Sequence, residues 1–448
     1  MPGRHRVVIV GSGFGGLQAA RVLAGSGAEV LVIDRNNYHT FIPLLYQVAT
    51  AELEPEQIVY PVRSVLRRLP NASFIMAEVK RIDFVGQFVE TDGPAIPYDF
   101  LILATGSQSQ FLGVPGAPKY ALPMRTLEEA VYLRNHILGC FEQAVREPAL
   151  TQRERLLTFV IVGGGPTGVE LAGALIELIH GALAKDYPTL DLRQVRVVLL
   201  QAGDRLFASL PKRLGEYTQK RLRKMGVEVH LQAKVSQVTP KAVHLKDGTA
   251  IFTKTIVWTA GVEAALPETT EELPTATKGK VVVQPTLQLP EQPRVYAIGD
   301  LAYVEQDGQP LTGVAPEAIQ QGAVAAQNIQ RQLRGRSPQP FSYFNKGSLA
   351  IIGRNAGVGQ IGKLIFTGFP AWFFWLGVHL FYLPGFRNRL FVLINWICDY
   401  LFKKRFVRLI LPQTALASEA THFATTDGTG QMVTEHGRIS SSGTNDRC

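Results

Sequence analysis

A chain of 448 residues, 46% hydrophobic and 19% charged, is ordinary for a globular protein and long enough for two or three domains with real cores. Its net charge of +9 suits an anionic partner: a nucleic acid, an acidic membrane surface or phosphorylated ligands. Three distant cysteines (Cys140, Cys398, Cys448) with no CxxC argue against a disulfide framework, a Cys-rich zinc site and an iron–sulfur cluster. The opening "MPGRHRVVIVGSG" enters a strand almost at once. That leaves no room for a secretory signal, and a reduced, cytoplasmic setting is expected.

In chain order, "RVVIVGSGFGGLQAARVLAGSGAEVLVIDRN" predicts a strand, a glycine turn, a helix and a second strand. Gly11, Gly13 and Gly16 fill GxGxxG, with Phe14 and Gly15 between them. The first glycine allows the tight turn, the second lets backbone approach a pyrophosphate, and the third lets helix and strand pack closely. Asp34, followed by Arg35, closes the second strand, where a carboxylate accepts both ribose hydroxyls. "YDFLILATGSQ" predicts a strand ending in Ala104, Thr105 and Gly106, small residues that let backbone meet a ligand.

The pattern recurs in "LTFVIVGGGPTGVELAGALIEL", with Gly163, Gly165 and Gly168 around Pro166 and Thr167. Two such units imply two dinucleotides, one able to hand electrons to the other. Glu170 lies just past the turn, where burial of a carboxylate is costly without a partner or a task. The next strand, "VRVVLLQ", ends in Gln201 where an acid is usual. Glutamine keeps a hydrogen-bonding group but removes the repulsion an acid offers a 2′-phosphate, and Arg205 is four residues on. Relaxed specificity is expected, with NADPH tolerated or even preferred and NADH favoured slightly as the main donor. "TIVWTAGV", with Ala260 and Gly261, is the second ligand-facing strand end, and "RVYAIGDLA", with Gly299 and Asp300, is a third.

These strands resemble the ATG and GD motifs of disulfide-reductase-like flavoproteins with two dinucleotides. By that resemblance Asp300 bonds the ribityl chain of FAD; capping the following helix is the plainer role. Members that reduce thiols or sulfur need a redox cysteine pair, which this chain lacks.

"RNNYH", "PLLYQVAT", "GGGPTGVELAG", "YAIGD" and "AWFFW…H" together resemble the type II NADH:quinone oxidoreductases over residues 4–411. The resemblance implies FAD, NADH as donor, a membrane quinone as acceptor, no catalytic metal and no proton pumping. It places Glu170 beside nicotinamide and flavin; favourable placement near a helix N-terminus is the bland alternative. It also assigns a motif written AQxxxQ to flavin and quinone. Here Ala315 and Gln320 match, but Pro316 stands at the first glutamine and offers no amide. Lys346 is read as a positive charge near the flavin, or equally as a solvated loop lysine. His39 and His379 are expected to be structural, and Tyr46 and Gln47 to lie by the flavin or the quinone path.

The expected fold class is α/β: two Rossmann-like dinucleotide-binding domains plus a C-terminal amphipathic helical membrane-anchoring region. The FAD domain is expected over 1–118 and 280–345, the NAD(P)H domain over 119–279 and the membrane region over 346–412. A disordered tail is expected over 413–448. Trp372, Trp375, Trp396, Lys363, Arg387, Arg389, Lys403, Lys404, Arg405 and Arg408 read as rings and cations at headgroup level. Residues 364–383 are long enough to span, but their Gly, Pro and His favour helices lying in the interface. A peripheral site on the cytoplasmic membrane face, a homodimer and no nucleic-acid partner are expected. Two rivals stay open: a soluble reductase of a small iron–sulfur protein, and a non-enzymatic NAD(P)H sensor.

Overall fold

Apolar, β-branched runs such as "RVVIV" and "TFVIV" bury both faces, which suits strands in the middle of a parallel sheet. The computed structural model describes residues 5–402, 405 and 407–410; the expected tail, Lys403 and Lys404 lie outside these. One six-stranded sheet runs Gln288–Leu289, Gln292–Ala297, Phe100–Leu103, Arg6–Val10, Glu29–Asp34, Ala72–Met76. Its strands are parallel apart from the first pair. A second sheet, all parallel, runs Leu122–Pro123, Thr255–Trp258, Thr158–Val162, Arg196–Leu200, Val227–His230.

In the first sheet Val10 lies opposite both Ile33 and Leu103, so the turn after it meets the ends of its neighbours. Val162 likewise lies opposite Leu200 and Trp258. Ligands of such sheets bind beyond the carboxyl ends of the strands, where these turns cluster. The chain returns to the first half's sheets at Val262–Ala264, paired with Ser107–Ser109, and at Glu268–Thr269, paired with Val79–Asp83. Both pairings precede residue 280.

The C-terminal region differs from expectation. Before any helix it forms an antiparallel sheet of Ser348–Gly353, Ala356–Ile361 and Leu364–Gly368. The first five residues of the candidate span at 364–383 are therefore strand. Helices Phe369–Tyr382 and Phe386–Phe402 follow. The sheet packs directly on the second glycine helix, Pro166–Leu178. A Cβ on Gly173 would come within 1.8 Å of the Ile352 carbonyl oxygen, so only glycine allows this approach.

The headgroup reading fails for three residues. Trp375 is fully buried, Trp396 nearly so, and Arg405 is only 4% exposed. The two tryptophans belong to the same core as Leu171 and Leu175. Phe373, Phe381 and Phe386 project outward instead. Among the described residues one helix is long and apolar enough to cross a membrane, Pro166–Asp186, and 67% of its apolar window is buried in the protein.

Candidate active site

The first glycine turn makes an open cradle. Gly11 has φ +104°, and a Cβ there would sit 2.3 Å from the Ala104 carbonyl oxygen. Gly13 caps the helix Phe14–Val22 and has nothing within 4 Å on its side-chain side, leaving the helix N-terminus free for a phosphate. Beside it the Thr105 hydroxyl is buried without a hydrogen-bond partner. An orphaned buried hydroxyl next to an open phosphate cradle fits a bound dinucleotide. Gly15 and Gly16 lie buried inside the helix, and the Phe14 ring meets His39 and Phe41 edge-on.

Asp34 is partly committed. Its Oδ2 accepts from the Ser12 amide at 2.7 Å and the Ser12 hydroxyl at 2.8 Å, and its Oδ1 accepts from the Asn36 amide. A carboxylate has about four acceptor positions, so capacity for a ribose remains. Arg35 is exposed next to it. His39 is buried against the Ser12 carbonyl, and burial lowers its pKa to about 4, consistent with a neutral structural ring.

Gly299 donates its amide to Gln321 Oε1 at 2.6 Å. Asp300 accepts from the Ser107 hydroxyl at 2.7 Å and pairs with Arg125, which also donates to Ser107 at 2.5 Å. Arg125 was not singled out from sequence. It lies 175 positions from Asp300, and only the fold brings the two together. Gly106 has φ +73° and open space beside it, and Ala315 begins the helix Ala315–Leu333.

The second cradle repeats the first. Gly163 has φ +119° and meets Thr259, and Gly165 is open. Pro166 and Thr167 are exposed around it. Gln201 Oε1 accepts from the Gly164 amide at 2.8 Å, which leaves its NH₂ to face outward. The Ala260 carbonyl receives the Trp258 indole N–H at 2.7 Å, and Gly261 has φ +88°. Both cradles fit a dinucleotide.

Glu170 is buried on the second glycine helix, one turn past its start. The Ile351 amide donates to it at 3.3 Å, so the C-terminal sheet supplies its partner. Burial pushes its pKa up to about 8. The amide and the Trp375 indole pull weakly the other way, although that indole N–H makes no hydrogen bond. Gln320 and Lys346 lie apart from it. Gln320 spends both ends of its amide on the Phe344 backbone, and Lys346 donates to the Tyr382 hydroxyl at 3.1 Å. His379 is half-buried, stacked on Trp375 and lowered by desolvation to about 4. Among the described residues no cluster of His, Cys, Asp or Glu could hold a metal.

Residues 5–322 match the pyridine nucleotide-disulphide oxidoreductase family, and residues 345–405 match the NDH2 C-terminal domain. The type II NADH:quinone oxidoreductase Ndh of Mycobacterium tuberculosis is 40% identical, over 93% of this chain and 92% of its own. This chain is a type II NADH:quinone oxidoreductase. An internal alternative NAD(P)H-ubiquinone oxidoreductase of Arabidopsis thaliana is 28% identical over 91% of the chain and 86% of its own. NDH2 of Plasmodium falciparum, solved with NADH, superposes with a TM-score of 0.83 at 17% identity, covering 92% of this chain and all of its own. As a member of this family it is a flavin-dependent, non-proton-pumping NADH-oxidising enzyme that reduces a membrane quinone, and its NDH2 homologues are membrane-associated. The soluble-reductase and sensor rivals give way to this assignment.

Proposed function

We propose that Glu170 holds the proton that the quinone oxygen takes up, between a donor side at the second cradle and an acceptor side toward residues 346–402. The observation that carries this is a buried carboxyl, kept protonated at neutral pH by its surroundings, at the seam of the nucleotide helix and the C-terminal sheet. FAD held in the first cradle would supply hydride acceptance from NADH and electron delivery to the quinone. The first cradle (Gly11, Gly13, Thr105, Asp34, Asp300) is assigned FAD and the second (Gly163, Gly165, Gln201, Gly261) NAD(P)H. The domain division at 118 and 345 belongs to the same reading, with the return to the first half at about residue 262 in place of the expected 280. Gln320 and Lys346 stand on the acceptor side, the first fixing the 344–346 loop and the second giving it positive charge.

Positioned proton transfer contributes about 10²-fold or more. Glu170→Gln is therefore expected to leave flavin reduction by NADH intact and slow quinol formation by about 10²-fold. In the parent protein quinol formation is expected to fall as pH rises through about 8, where Glu170 loses its proton. Stopped-flow measurement of the two half-reactions checks both. Equal slowing of the two halves would sink this role.

Gln201 decides donor preference. Its NH₂ tolerates a 2′-phosphate that a carboxylate repels. Gln201→Glu is expected to lower the NADPH:NADH ratio of kcat/KM at least tenfold, and an unchanged ratio overturns the assignment. The outward apolar helices rest on the cytoplasmic face of an anionic membrane, and a homodimer presents two copies of them to one surface.

A further inference from the structure

The oxidoreductase reaction takes NADH, one proton and a quinone to NAD⁺ and a quinol. Hydride brings one of the two hydrogens, so the other must come from water in every turnover. Glu170 is 9% exposed and cannot draw it directly from bulk solvent.

Behind Glu170 lies a cavity of about 50 Å³ that none of the nucleotide-cradle residues lines. One water needs roughly 10–15 Å³ of such space, so this cavity holds a few. Glu170, Tyr46, Glu52, Glu177, Arg354 and Asp399 contribute to its wall. Glu170 and Glu177 are seven positions apart on one helix, hence on one face of it. Glu52 follows the helix Leu45–Ala49, and Asp399 belongs to the helix Phe386–Phe402. The Tyr46 hydroxyl, 96% buried as a residue, accepts from Gln47 at 3.0 Å. Its own proton has no acceptor among the described residues, so it is free to bond a water in the cavity.

Exposure is graded along this wall. The side chain of Glu52 is 14% exposed, Asp399 23% and Glu177 32%. Arg405 fixes the three carboxylates, lying 3.5 Å from Glu52, 3.7 Å from Glu177 and 4.0 Å from Asp399. Arg354 donates its amide to Glu177 at 2.6 Å and pairs with Asp399 at 3.5 Å.

We infer that this cavity is a water-holding proton entrance, in which Glu177 takes protons at the mouth and passes them by way of Glu52 and Tyr46 to Glu170. The inference rests on the reading of Glu170 as the proton holder. Each transfer moves a proton from a carboxylic acid or water to the next carboxylate or water, the Tyr46 hydroxyl giving up its own proton as it receives another, and the last proton leaves Glu170 for the quinone oxygen. Burial raises Glu52 to about 7, with Arg405 and Arg354 opposing and Asp399 and Glu177 reinforcing, which suits a group that loads and unloads near neutral pH. Burial raises Glu177 as well, against Arg405, the Arg354 amide and the Arg354 charge.

The test uses the flavin-loaded full chain with variants Glu52→Gln, Glu177→Gln and Glu170→Gln. Flavin retention reports folding, and stopped-flow separates the half-reactions across pH 6–9. At pH 8, Glu52→Gln and Glu177→Gln are expected to leave flavin reduction by NADH unchanged, slow quinol formation about tenfold and enlarge its solvent isotope effect. A small weak acid such as formic acid or hydrazoic acid restores the rate by carrying protons into the cavity. Parent-like rates and pH profiles in both variants, or a slowing that no small acid restores, overturn the entrance while leaving the role of Glu170 standing. A parent-like Glu170→Gln overturns both.

Discussion

Replacing Arg405 with alanine costs about 3–5 kcal/mol of stability, because removing one partner of a buried ionic network leaves the others uncompensated. Arg405 is 4% exposed and sits among Glu52, Glu177 and Asp399. It also donates to the Thr50 carbonyl at 2.8 Å and the Ala174 carbonyl at 2.9 Å. One side chain thus ties the C-terminal segment to a loop of the first half and to the second glycine helix. Thermal unfolding of the flavin-loaded protein measures the loss. It is expected to be larger at pH 8.5 than at pH 5.5, where protonation of Glu52 relieves the repulsion.

The parent protein carries a related pH dependence. The folded-state values of Glu52 and Glu170, about 7 and about 8, lie above those of an unfolded chain. A folded state that binds protons more tightly is favoured by acid. The stability these two groups contribute is therefore complete below about pH 4.3, the ordinary glutamate value, and is lost as pH rises through 7 and 8. Glu52→Gln and Glu170→Gln flatten this slope. If Arg405→Ala unfolds at the parent temperature at both pH values, the network contributes nothing net.

The two glycine cradles were legible in the sequence because each depends on backbone geometry that few residues permit. Gly11 and Gly163 need positive φ, and strand, turn and helix follow at fixed spacing. The strand ends at Ala104, Ala260 and Gly299 were legible for a similar reason, as small residues closing apolar parallel strands. The C-terminal sheet was not. "SLAIIG", "AGVGQI" and "LIFTG" are short and glycine-broken, so strand alternation is faint beside the aromatic run that follows. Trp375, Trp396 and Arg405 have the composition of membrane-surface groups, and composition says nothing about which side of a helix meets the core. The carboxylate network is assembled from residues 52, 177, 399 and 405. No local pattern links positions so far apart, although the seven-residue step from Glu170 to Glu177 was visible.

The second large effect concerns membrane attachment. Deleting the C-terminal helices would not measure it, because Trp375 and Trp396 belong to the protein's own core and the Trp396 indole donates to Gln47 at 3.0 Å. Asn388 and Asn395 further tie the last helix to Val59 and Gln57. The outward face can be changed alone. Phe373, Phe381 and Phe386 are 63%, 70% and 82% exposed, far more than their apolar surface favours in water. Burying a phenylalanine in an apolar phase contributes about 2 kcal/mol, so three contribute about 6 kcal/mol and roughly 10⁴-fold in binding. The triple change Phe373→Glu, Phe381→Glu and Phe386→Glu is expected to abolish pelleting with vesicles. It should leave NADH oxidation by a short-chain, water-soluble quinone within about twofold, since surface changes away from the core perturb stability little. Arg387 lies over Phe391 at 5.4 Å, with its charge beside this face. Each basic group near an anionic surface adds about 1 kcal/mol, so binding to anionic vesicles should exceed binding to neutral ones and weaken with salt. Undiminished pelleting of the triple variant would show that these rings are not what holds the protein to lipid.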